Sequence, residues 1–276
     1  MIFHKYHGLG NDFIVLEDFD SKAPKTPDFA QKWCHRHFGI GADGILYISG
    51  SKRADAFMKL LNSDGSEAEM CGNGIRCAAK HLYDMGLVKK KRMKIETLAG
   101  IKDIDCEVEA EQVTSVTVDM GAPSLECEKI PMNCHGRFIS MQLDVDGRKI
   151  TGTAVSMGNP HFVIFERLSE SERKGLGPMI EGHRMFPRKT NVEFADILPD
   201  HIEVQVYERG AEWTMACGTG ACATVVAAVV NSLVPASKEV EVRLPGGSLW
   251  INVAERLSTV TMRGPAVRVF RGELQE

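Results

Sequence analysis

Two stretches of the chain share one pattern: Cys71-Gly-Asn-Gly-Ile-Arg-Cys77-Ala and Cys217-Gly-Thr-Gly-Ala-Cys222-Ala, offset by 146 residues. In each stretch the Cys-Gly-x-Gly segment stands directly before a run of residues with helical patterning. Glycines at that point let the backbone form a tight turn with its N–H groups free. Both stretches therefore predict a helix whose N-terminus binds an anion such as a carboxylate.

Further landmarks repeat in the same order along the chain. Gly10-Asn11 corresponds to Gly158-Asn159, and Asn62 and Glu208 each lie nine residues before the first cysteine of their stretch. An internal repeat indicates a duplicated structural unit. We therefore expect two domains of one fold whose Cys-Gly-x-Gly turns face a shared cleft, with a boundary near Gly121-Ala-Pro123. The length of 276 residues agrees, since a domain takes roughly 150 residues.

The composition excludes several classes of protein. Lys and Arg number 33 against 37 Asp and Glu, so the net charge of -4 gives no basic excess for nucleic acid or an anionic membrane surface. Eight cysteines are too few for a disulfide scaffold, and the first residues lack the apolar segment of a secretory signal, so a cytoplasmic location is expected. The uncharged stretch 215–236 has the length of a membrane span, but its glycines, Asn231 and Pro235 predict a buried helix of a globular domain instead.

Alternation of polar and apolar residues predicts strands at 113–118, 138–145, 162–165, 201–207, 239–244, 248–253, 258–262 and 267–270. Helices are expected from Phe29 (capped by Asp28 and ended by Gly39), at 73–85, at 170–174 and at 219–233. The glycines and prolines of 175–190 predict a long surface loop. Because strands outnumber helices without a regular strand–helix alternation, the predicted fold class is α+β.

Cys71 and Cys217 differ from the other cysteines by their matched positions at two helix starts. A thiol at a helix N-terminus has its pKa lowered, because the positive end of the helix dipole favours the thiolate. Two such turns facing one cleft would hold one carboxylate between two helix ends, with one sulfur on either side of the adjacent carbon. The other six cysteines are expected to be small buried apolar side chains: Cys34, Cys77, Cys106, Cys127, Cys134 and Cys222.

Other uses of cysteine fit less well. The sequence has no Cys-x-x-Cys and no cysteine spacing typical of a zinc site. A cysteine hydrolase needs one nucleophile with a His base, which leaves the second matched cysteine without a role. A thioredoxin-like role requires two cysteines close in sequence. The glycine-rich segments 8–10 and 39–44 complete neither a dinucleotide nor a Walker pattern, so no metal and no cofactor are expected.

Four blocks of sequence, in this order, carry a resemblance to a known family: 7–13, 62–77, 158–161 and 208–220. With them the chain resembles the diaminopimelate epimerases over essentially its whole length. The resemblance implies interconversion of LL- and meso-diaminopimelate, for lysine and peptidoglycan precursor biosynthesis, without pyridoxal phosphate or metal. It also implies two pseudo-symmetric domains, 1–120 plus 263–276 and 121–262, each a mixed sheet wrapped round a central helix. A homodimer is common in the family.

The resemblance also implies roles for individual residues. Cys71 and Cys217 resemble the family's two acid/base thiols, and His161 and Glu208 resemble the pair that assists at the reacting amino acid. Glu208 would meet the ammonium group of the substrate. Backbone N–H groups are expected to bind the reacting carboxylate at Gly72, Asn73, Gly218 and Thr219. The distal amino acid end is expected to be held by Asn11, Asn62, Asn159, Asn191 and Arg209, with the guanidinium of Arg209 suited to a carboxylate.

One segment departs from the family's common form. Where the family commonly has Arg-Gly-Ala-Gly-Glu-Thr, this chain has Arg209-Gly-Ala-Glu212-Trp213-Thr214. These two differences either reshape the path into the site or face away from it. At the position of Gly44, some members have a polar side chain that reaches the substrate.

The expected mechanism is proton transfer at an amino acid α-carbon. One thiolate removes the proton, the opposite thiol delivers another, and the helix N-termini stabilise the charge on the carboxylate. In the family's usual assignment for the LL substrate, the residue matching Cys217 is the base and that matching Cys71 the acid, and the reverse reaction exchanges them. Two alternatives stay open: a related cofactor-independent amino acid racemase, and a binding protein without chemistry. Retention of both cysteines argues against the second, since binding needs neither thiol.

Overall fold

A computed structural model describes residues 1–275 and divides the chain into two units. The first unit is Met1–Asp119 together with the chain from Arg263 onward, and the second is Met120–Met262. Each unit contains a mixed β-sheet and two α-helices. The fold class is therefore α+β, as the strand-rich sequence pattern predicts.

The strands of the first unit are β1 (Ile2–Gly8), β2 (Asn11–Glu17), β3 (Gly44–Ser49), β4 (Ala56–Asn62), β5 (Glu67–Ala68), β6 (Arg92–Thr97), β7 (Gly100–Glu109), β8 (Gln112–Gly121), which runs across the boundary, and β18 (Val267–Glu273). Its helices are α1 (Pro27–Cys34) and α2 (Gly72–Asp84). In this sheet β1 lies antiparallel between β18 and β2, β2 is parallel to β3, β3 is antiparallel to β4, and β4 is parallel to β6.

The strands of the second unit are β9 (Met141–Val145), β10 (Arg148–Ser156), β11 (Pro160–Ile164), β12 (Asn191–Ile197), β13 (Ile202–Glu208), β14 (Glu212–Thr214), β15 (Glu239–Leu244), β16 (Gly247–Val253) and β17 (Val260–Gly264), which also runs across the boundary. Its helices are α3 (Glu170–Glu181) and α4 (Gly218–Val230). Here β10 lies antiparallel between β9 and β11, β11 is parallel to β12, β12 is antiparallel to β13, and β13 is parallel to β15. The order of parallel and antiparallel pairs repeats that of the first unit, so the predicted duplication of one fold is confirmed.

Each sheet surrounds one helix. In the first unit, α2 packs against β1, β2, β3, β4, β6, β7 and β18. In the second unit, α4 packs against β10, β11, β12, β13 and β16. Within α4, every residue from Gly220 to Ala228 is buried. This burial on all sides explains why residues 220–228 carry no charge. Among the described residues, no helix is long and apolar enough to cross a membrane.

The α1 helix begins earlier and ends earlier than the sequence predicts. Thr26 caps α1 by accepting a hydrogen bond from the Phe29 N–H at 3.3 Å, and Pro27 takes the first helical position. The helix ends at Cys34, and the chain then turns so that the N–H groups of Ile40 and Ala42 bond back to residues 33 and 34. The prediction of an Asp28 cap and an end at Gly39 is therefore wrong, because Pro27 favours the first turn and this turn closes the helix.

The predicted surface loop at 175–190 is also wrong in its first half. The α3 helix continues to Glu181 despite Gly175, Gly177 and Pro178. Its start is fixed by a capping box in which Ser169 and Glu172 bond to each other's backbone N–H. Its buried face contributes Leu176 and Ile180 to the apolar core of the second unit. Burial of that face outweighs the weak helix propensity of glycine and proline.

Two cysteines expected as separate buried thiols form a disulfide. Cys127 and Cys134 are bonded, with their Cα atoms 5.7 Å apart. A short 3-10 turn at Cys127–Lys129, followed by a hydrogen bond from the Met132 N–H to the Cys127 carbonyl, brings the two residues together. Cys34, Cys77, Cys106 and Cys222 are buried free thiols, as predicted.

Replacing Ile180 by Ala should lower the free energy of unfolding by about 2–5 kcal/mol, because Ile180 is fully buried and its truncation leaves a cavity. Met179 is the matched control on the same helix, since its side chain is 40% exposed. Met179→Ala should change stability by about 0.5 kcal/mol or less. Urea denaturation of both variants measures the difference, and equal effects would contradict the buried helix at this position.

Candidate active site

Each matched cysteine is the N-cap of the helix at the centre of its unit. Cys71 precedes α2 with φ -138°, and its sulfur accepts a hydrogen bond from the Gly74 N–H at 3.4 Å. Cys217 precedes α4 with φ -114°, and its sulfur accepts one from the Gly220 N–H at 3.3 Å. Ser, Thr, Asp and Asn are the usual residues at this position. Each thiol therefore lies at the positive end of a buried helix.

Amide side chains surround Cys71. Its thiol donates to Asn11 Oδ1 at 3.7 Å, and the same oxygen accepts a hydrogen bond from Asn73 Nδ2 at 3.1 Å. The Asn11 amide in turn donates to Asp43 Oδ2 at 2.8 Å, which fixes its orientation. The structure thus brings three of the predicted residues together in the first unit and adds Asp43, to which no sequence motif points.

Arg76 is a second residue that the sequence interpretation left without a role. It lies one turn into α2 and is completely buried. Its guanidinium donates to the Gly72 carbonyl at 3.1 Å, to Asn73 Oδ1 at 3.0 Å and to the Pro265 carbonyl at 3.1 Å. Arg76 therefore fixes the first turn of α2 and attaches the C-terminal segment of the unit to it. The available sequence signal was a charged side chain placed between Ile75 and Cys77.

Cys217 is buried close to two carboxylates, those of Glu208 and Glu193. Its side chain is buried, and its sulfur lies 3.5 Å from Thr219 Oγ1. Burial raises the pKa of the Cys217 thiol well above its ordinary value of 9.0, and the negative charges of Glu208 and Glu193 raise it further. The prediction that the helix end lowers this pKa is therefore wrong in the present state, because desolvation and two carboxylates outweigh the helix dipole. Cys217 is a neutral thiol here.

His161 is held at both ring nitrogens. Nδ1 lies 2.6 Å from Glu193 Oε1 and Nε2 lies 3.0 Å from Asn159 Oδ1, and the side chains of His161 and Glu193 are fully buried. Asn159 also donates to Thr219 Oγ1 at 3.3 Å, which fixes its amide. One oxygen atom therefore faces each nitrogen of the ring. Burial raises the pKa of Glu193, an effect that His161 partly offsets.

Glu193 was missed by the sequence interpretation. It is an interior residue of β12, where the burial of Asn191 to Ala195 is continuous. A Cβ atom at Gly220 would lie 2.9 Å from Glu193 Oε1, so this glycine is needed for the carboxylate to reach the start of α4. The sequence signal was a lone carboxylate inside a strand of buried residues, a position where charged groups need a partner.

Glu208 ends β13 and accepts a hydrogen bond from Thr214 Oγ1 at 2.5 Å. It acts electrostatically on both Cys217 and Glu193. The predicted residues Asn159, His161, Glu208, Cys217 and Thr219 therefore lie in one cluster of the second unit. Gly218 is the first residue of α4, as Gly72 is of α2.

The remaining predicted residues have mainly structural contacts. Asn62 donates to Ser66 Oγ at 2.9 Å. Asn191 is buried, donates to the Pro160 carbonyl at 2.8 Å and accepts from the Arg209 N–H at 2.9 Å, so it positions the backbone of Arg209. The Arg209 guanidinium is exposed and donates to the Arg188 carbonyl at 3.3 Å.

Positive-φ glycines position the two matched asparagines. Gly10 with φ 86° precedes Asn11, and Gly158 with φ 98° precedes Asn159. Only glycine adopts this conformation at little cost. The repeated Gly-Asn pair is therefore a turn that presents an amide beside each capping cysteine.

The segment that departs from the family's common form packs against the second sheet. Glu212 to Thr214 form β14, which pairs with β13. The Trp213 ring lies 5.4 Å from the Tyr207 ring and 5.8 Å from the Phe194 ring, measured between centroids. Trp213 is thus a packing residue on this sheet.

Comparison with known proteins identifies close relatives. The family model described as diaminopimelate epimerase matches residues 3–126 and 153–269. The diaminopimelate epimerase of Desulfitobacterium hafniense is 49% identical over 99% of this chain and 97% of its own length, and that of Pelotomaculum thermopropionicum is 50% identical over 99% and 98%. A hydroxyproline epimerase from Agrobacterium vitis, solved with bound trans-4-hydroxy-L-proline, has a TM-score of 0.73 at 14% identity, covering 99% of this chain and 90% of that one. The last comparison shows a shared fold.

Iodoacetamide at pH 8 should label Cys71 before Cys217. Cys71 is half-buried, whereas Cys217 is 5% exposed and has a raised pKa. Because the thiolate is the nucleophile, labelling of Cys217 should accelerate as the pH rises past 9.0. Peptide mass spectrometry measures both rates. Cys222, which is fully buried, serves as the control and should stay unlabelled. Labelling of Cys217 ahead of Cys71 would contradict the protonated thiol.

Proposed function

The chain belongs to the diaminopimelate epimerase family, and on that premise we propose that it interconverts LL- and meso-diaminopimelate by a two-base mechanism at Cys71 and Cys217. One observation carries the proposal: each cysteine is itself the N-cap of the central helix of its unit. An acid/base group and an anion-binding helix end thus coincide twice in one chain. Inversion at a carbon atom needs one proton-transfer group on each face, and the two thiols supply them.

The helix ends stabilise the charge that develops when the α-proton leaves. That charge accumulates on the α-carboxylate, and an amino acid α-carbon is far less acidic than a thiol. Backbone N–H groups at the helix starts provide preorganised donors for it: Gly72, Asn73, Gly218 and Thr219. Neither pyridoxal phosphate nor a metal takes part in the proposed step.

The second unit binds the ammonium group. Glu208 supplies a carboxylate for it, and His161, held by Glu193 and Asn159, assists beside it. At the matching positions of the first unit the chain has Asn62 in place of Glu208 and Phe13 in place of His161. This chemical asymmetry gives the ammonium one binding place.

Substrate binding changes the protonation of Cys217. In the substrate-free protein, burial and the charges of Glu208 and Glu193 keep Cys217 protonated, the state that delivers a proton. An ammonium group at Glu208 offsets one of these charges and thereby favours the Cys217 thiolate, the state that removes a proton from the LL substrate. Cys71 then serves as the acid, and the roles exchange for the meso substrate.

The distal amino acid end is held by amides and by Arg209. Asn11, Asn62 and Asn159 offer amide groups, and the exposed guanidinium of Arg209 binds the distal carboxylate in a bidentate manner. Asn191 contributes by holding the Arg209 backbone. Trp213 packs against Tyr207 and Phe194, so this departure from the family's common form does not alter the proposed role of Arg209.

Lysine and peptidoglycan precursor biosynthesis and a homodimeric state complete the proposal and rest on the family resemblance. The proposed cytoplasmic location rests on the low cysteine content. A small amino acid is the substrate class that family membership supports. A racemase acting on another amino acid is the second candidate, because a hydroxyproline epimerase has the same fold.

Purified protein incubated with LL-diaminopimelate in deuterated water should yield the meso form carrying deuterium at the inverted centre, while recovered substrate gains little. A single base would return label to the starting epimer at a rate comparable with inversion. Cys71→Ala and Cys217→Ala should each abolish inversion. Chiral chromatography with mass spectrometry measures product and label.

The second cysteine of each repeated motif provides the matched control. Cys77 and Cys222 are fully buried and lie five or six residues beyond the capping cysteines, so Cys77→Ala and Cys222→Ala should retain inversion. Full epimerisation by Cys71→Ala or Cys217→Ala would refute the mechanism. Turnover of proline or another amino acid in place of diaminopimelate would favour the racemase, and binding without turnover would indicate a binding protein.

Glu193→Gln should lower kcat by about 10- to 100-fold with little change in KM, because the Glu193 carboxylate holds Nδ1 of His161 and so positions its ring. The same change removes one negative charge near Cys217, so the pKa of that thiol should fall. Rates of Cys217 alkylation against pH provide this second measurement.

Glu203→Gln is the control for the loss of a carboxylate in the same unit, since the Glu203 side chain is 58% exposed. It should leave kcat and the Cys217 profile unchanged. If Glu193→Gln lowered kcat without moving the pKa of Cys217, the role of Glu193 would be structural rather than electrostatic.

A further inference from the structure

A cluster at the far end of α2 has the composition of a metal site. Among residues 1–275, His4, Glu17 and His81 form the one group of three such side chains whose ligand atoms all lie within 4.8 Å of one another. His4 comes from β1, Glu17 ends β2, and His81 lies in the last turn of α2. The fold assembles the cluster from three elements, so no sequence spacing indicates it.

The two histidines are buried and oriented. His4 is 3% exposed and His81 is fully buried, with their ring centroids 4.8 Å apart. His4 Nδ1 has no hydrogen-bond partner, although an unsatisfied buried nitrogen costs free energy. A metal ion that accepts the lone pair of this nitrogen would remove that cost in free energy.

The two ring nitrogens of His81 have neighbours like those of a metal-binding histidine. Its Nε2 lies 3.1 Å from Glu17 Oε1, and its Nδ1 lies 3.2 Å from the Tyr6 hydroxyl. Metal-binding histidines use one ring nitrogen for the ion and bond the other to a neighbouring polar group. Tyr6 provides that neighbour and fixes the ring.

We propose that His4, Glu17 and His81 bind a divalent first-row transition-metal ion, with zinc as the best match. Two imidazoles and one carboxylate form a common zinc ligand set, and a water completes the tetrahedron. Ligand atoms around zinc lie about 3.3 Å apart, given bonds of roughly 2.0–2.1 Å. The His81–Glu17 pair is already at this separation, and the 37% exposed Glu17 side chain is free to adjust.

Charges of both signs surround the cluster, and Asp84 is paired with Lys80 at 2.8 Å. The C-terminal end of α2 carries the negative end of the helix dipole, and Glu17 and Asp84 add negative charge. Arg268 and Arg271 on β18 oppose them.

The proposed ion lies apart from the proton-transfer chemistry. His81 follows Cys71 by ten residues of helix, or about 15 Å along its axis at 1.5 Å per residue. The ion would join β1, β2 and α2, and so stabilise the unit whose central helix carries Cys71. This role goes beyond the proposed epimerase activity, which needs no metal.

The test is zinc binding by the full chain after treatment with a chelator. Isothermal titration should give one zinc per chain for the wild type and an affinity at least tenfold weaker for Glu17→Gln, which keeps the shape of the side chain but is a poor ligand. Glu109→Gln, another exposed carboxylate on a strand of the same unit, is the matched control and should bind as the wild type does. Zinc should raise the thermal midpoint of the wild type and the control, and not that of Glu17→Gln.

The outcomes separate this site from other zinc ligands of the chain. Zinc held by the thiols or by surface histidines would be bound equally by the wild type and Glu17→Gln, and that result would overturn the proposal. Absence of binding to the wild type would also overturn it. Epimerase activity in metal-free buffer should be the same for the wild type and Glu17→Gln, so failure of the metal proposal and failure of the proposed function are distinguishable.

Discussion

A hydrogen bond from a first-turn N–H to a capping sulfur, made once at each central helix, is the contact on which the candidate site depends. Gly74 and Gly220 are the donors. Because each helix is enclosed by its own sheet, its start cannot shift without repacking the core, and the sulfur is fixed with it. At Gly220 a Cβ atom would lie 2.9 Å from Glu193 Oε1 and 3.2 Å from Cys217 Sγ, so the sequence of the turn is constrained by its neighbours.

The two copies of this arrangement have become chemically different. Around Cys71 the neighbours are amides, and the thiol is half-buried. Around Cys217 they are carboxylates, and the thiol is buried and protonated. Identical surroundings would give the two thiols the same pKa, whereas burial and two carboxylates raise the pKa of Cys217. Divergence of the duplicated halves therefore places the two thiols of the proposed two-base reaction in different surroundings.

The repeated motif was sufficient to predict the duplication, because a matching turn before two helices is a local signal, and the excess of strand patterns predicted the α+β class. Long-range burial was not predictable in the same way. The α3 helix continues through Gly177 and Pro178 because Leu176 and Ile180 reach the core. Strands β2 and β3 escaped prediction because their apolar runs are buried on both faces and lack alternation. The raised pKa of Cys217 depends on Glu193, which the fold brings from a different strand.

The discontinuous first unit has a consequence for synthesis of the chain. Its edge strand β18 pairs with β1, and Pro265 accepts the hydrogen bond of Arg76, yet both follow the whole second unit in the chain. At 5–20 residues per second, a ribosome needs roughly 7–30 s to make the intervening segment. During that interval β1 has an open edge and the Arg76 guanidinium lacks the Pro265 carbonyl. The second unit is thus free to fold first, and the nascent first unit is the part of the chain that needs protection from edge-to-edge aggregation.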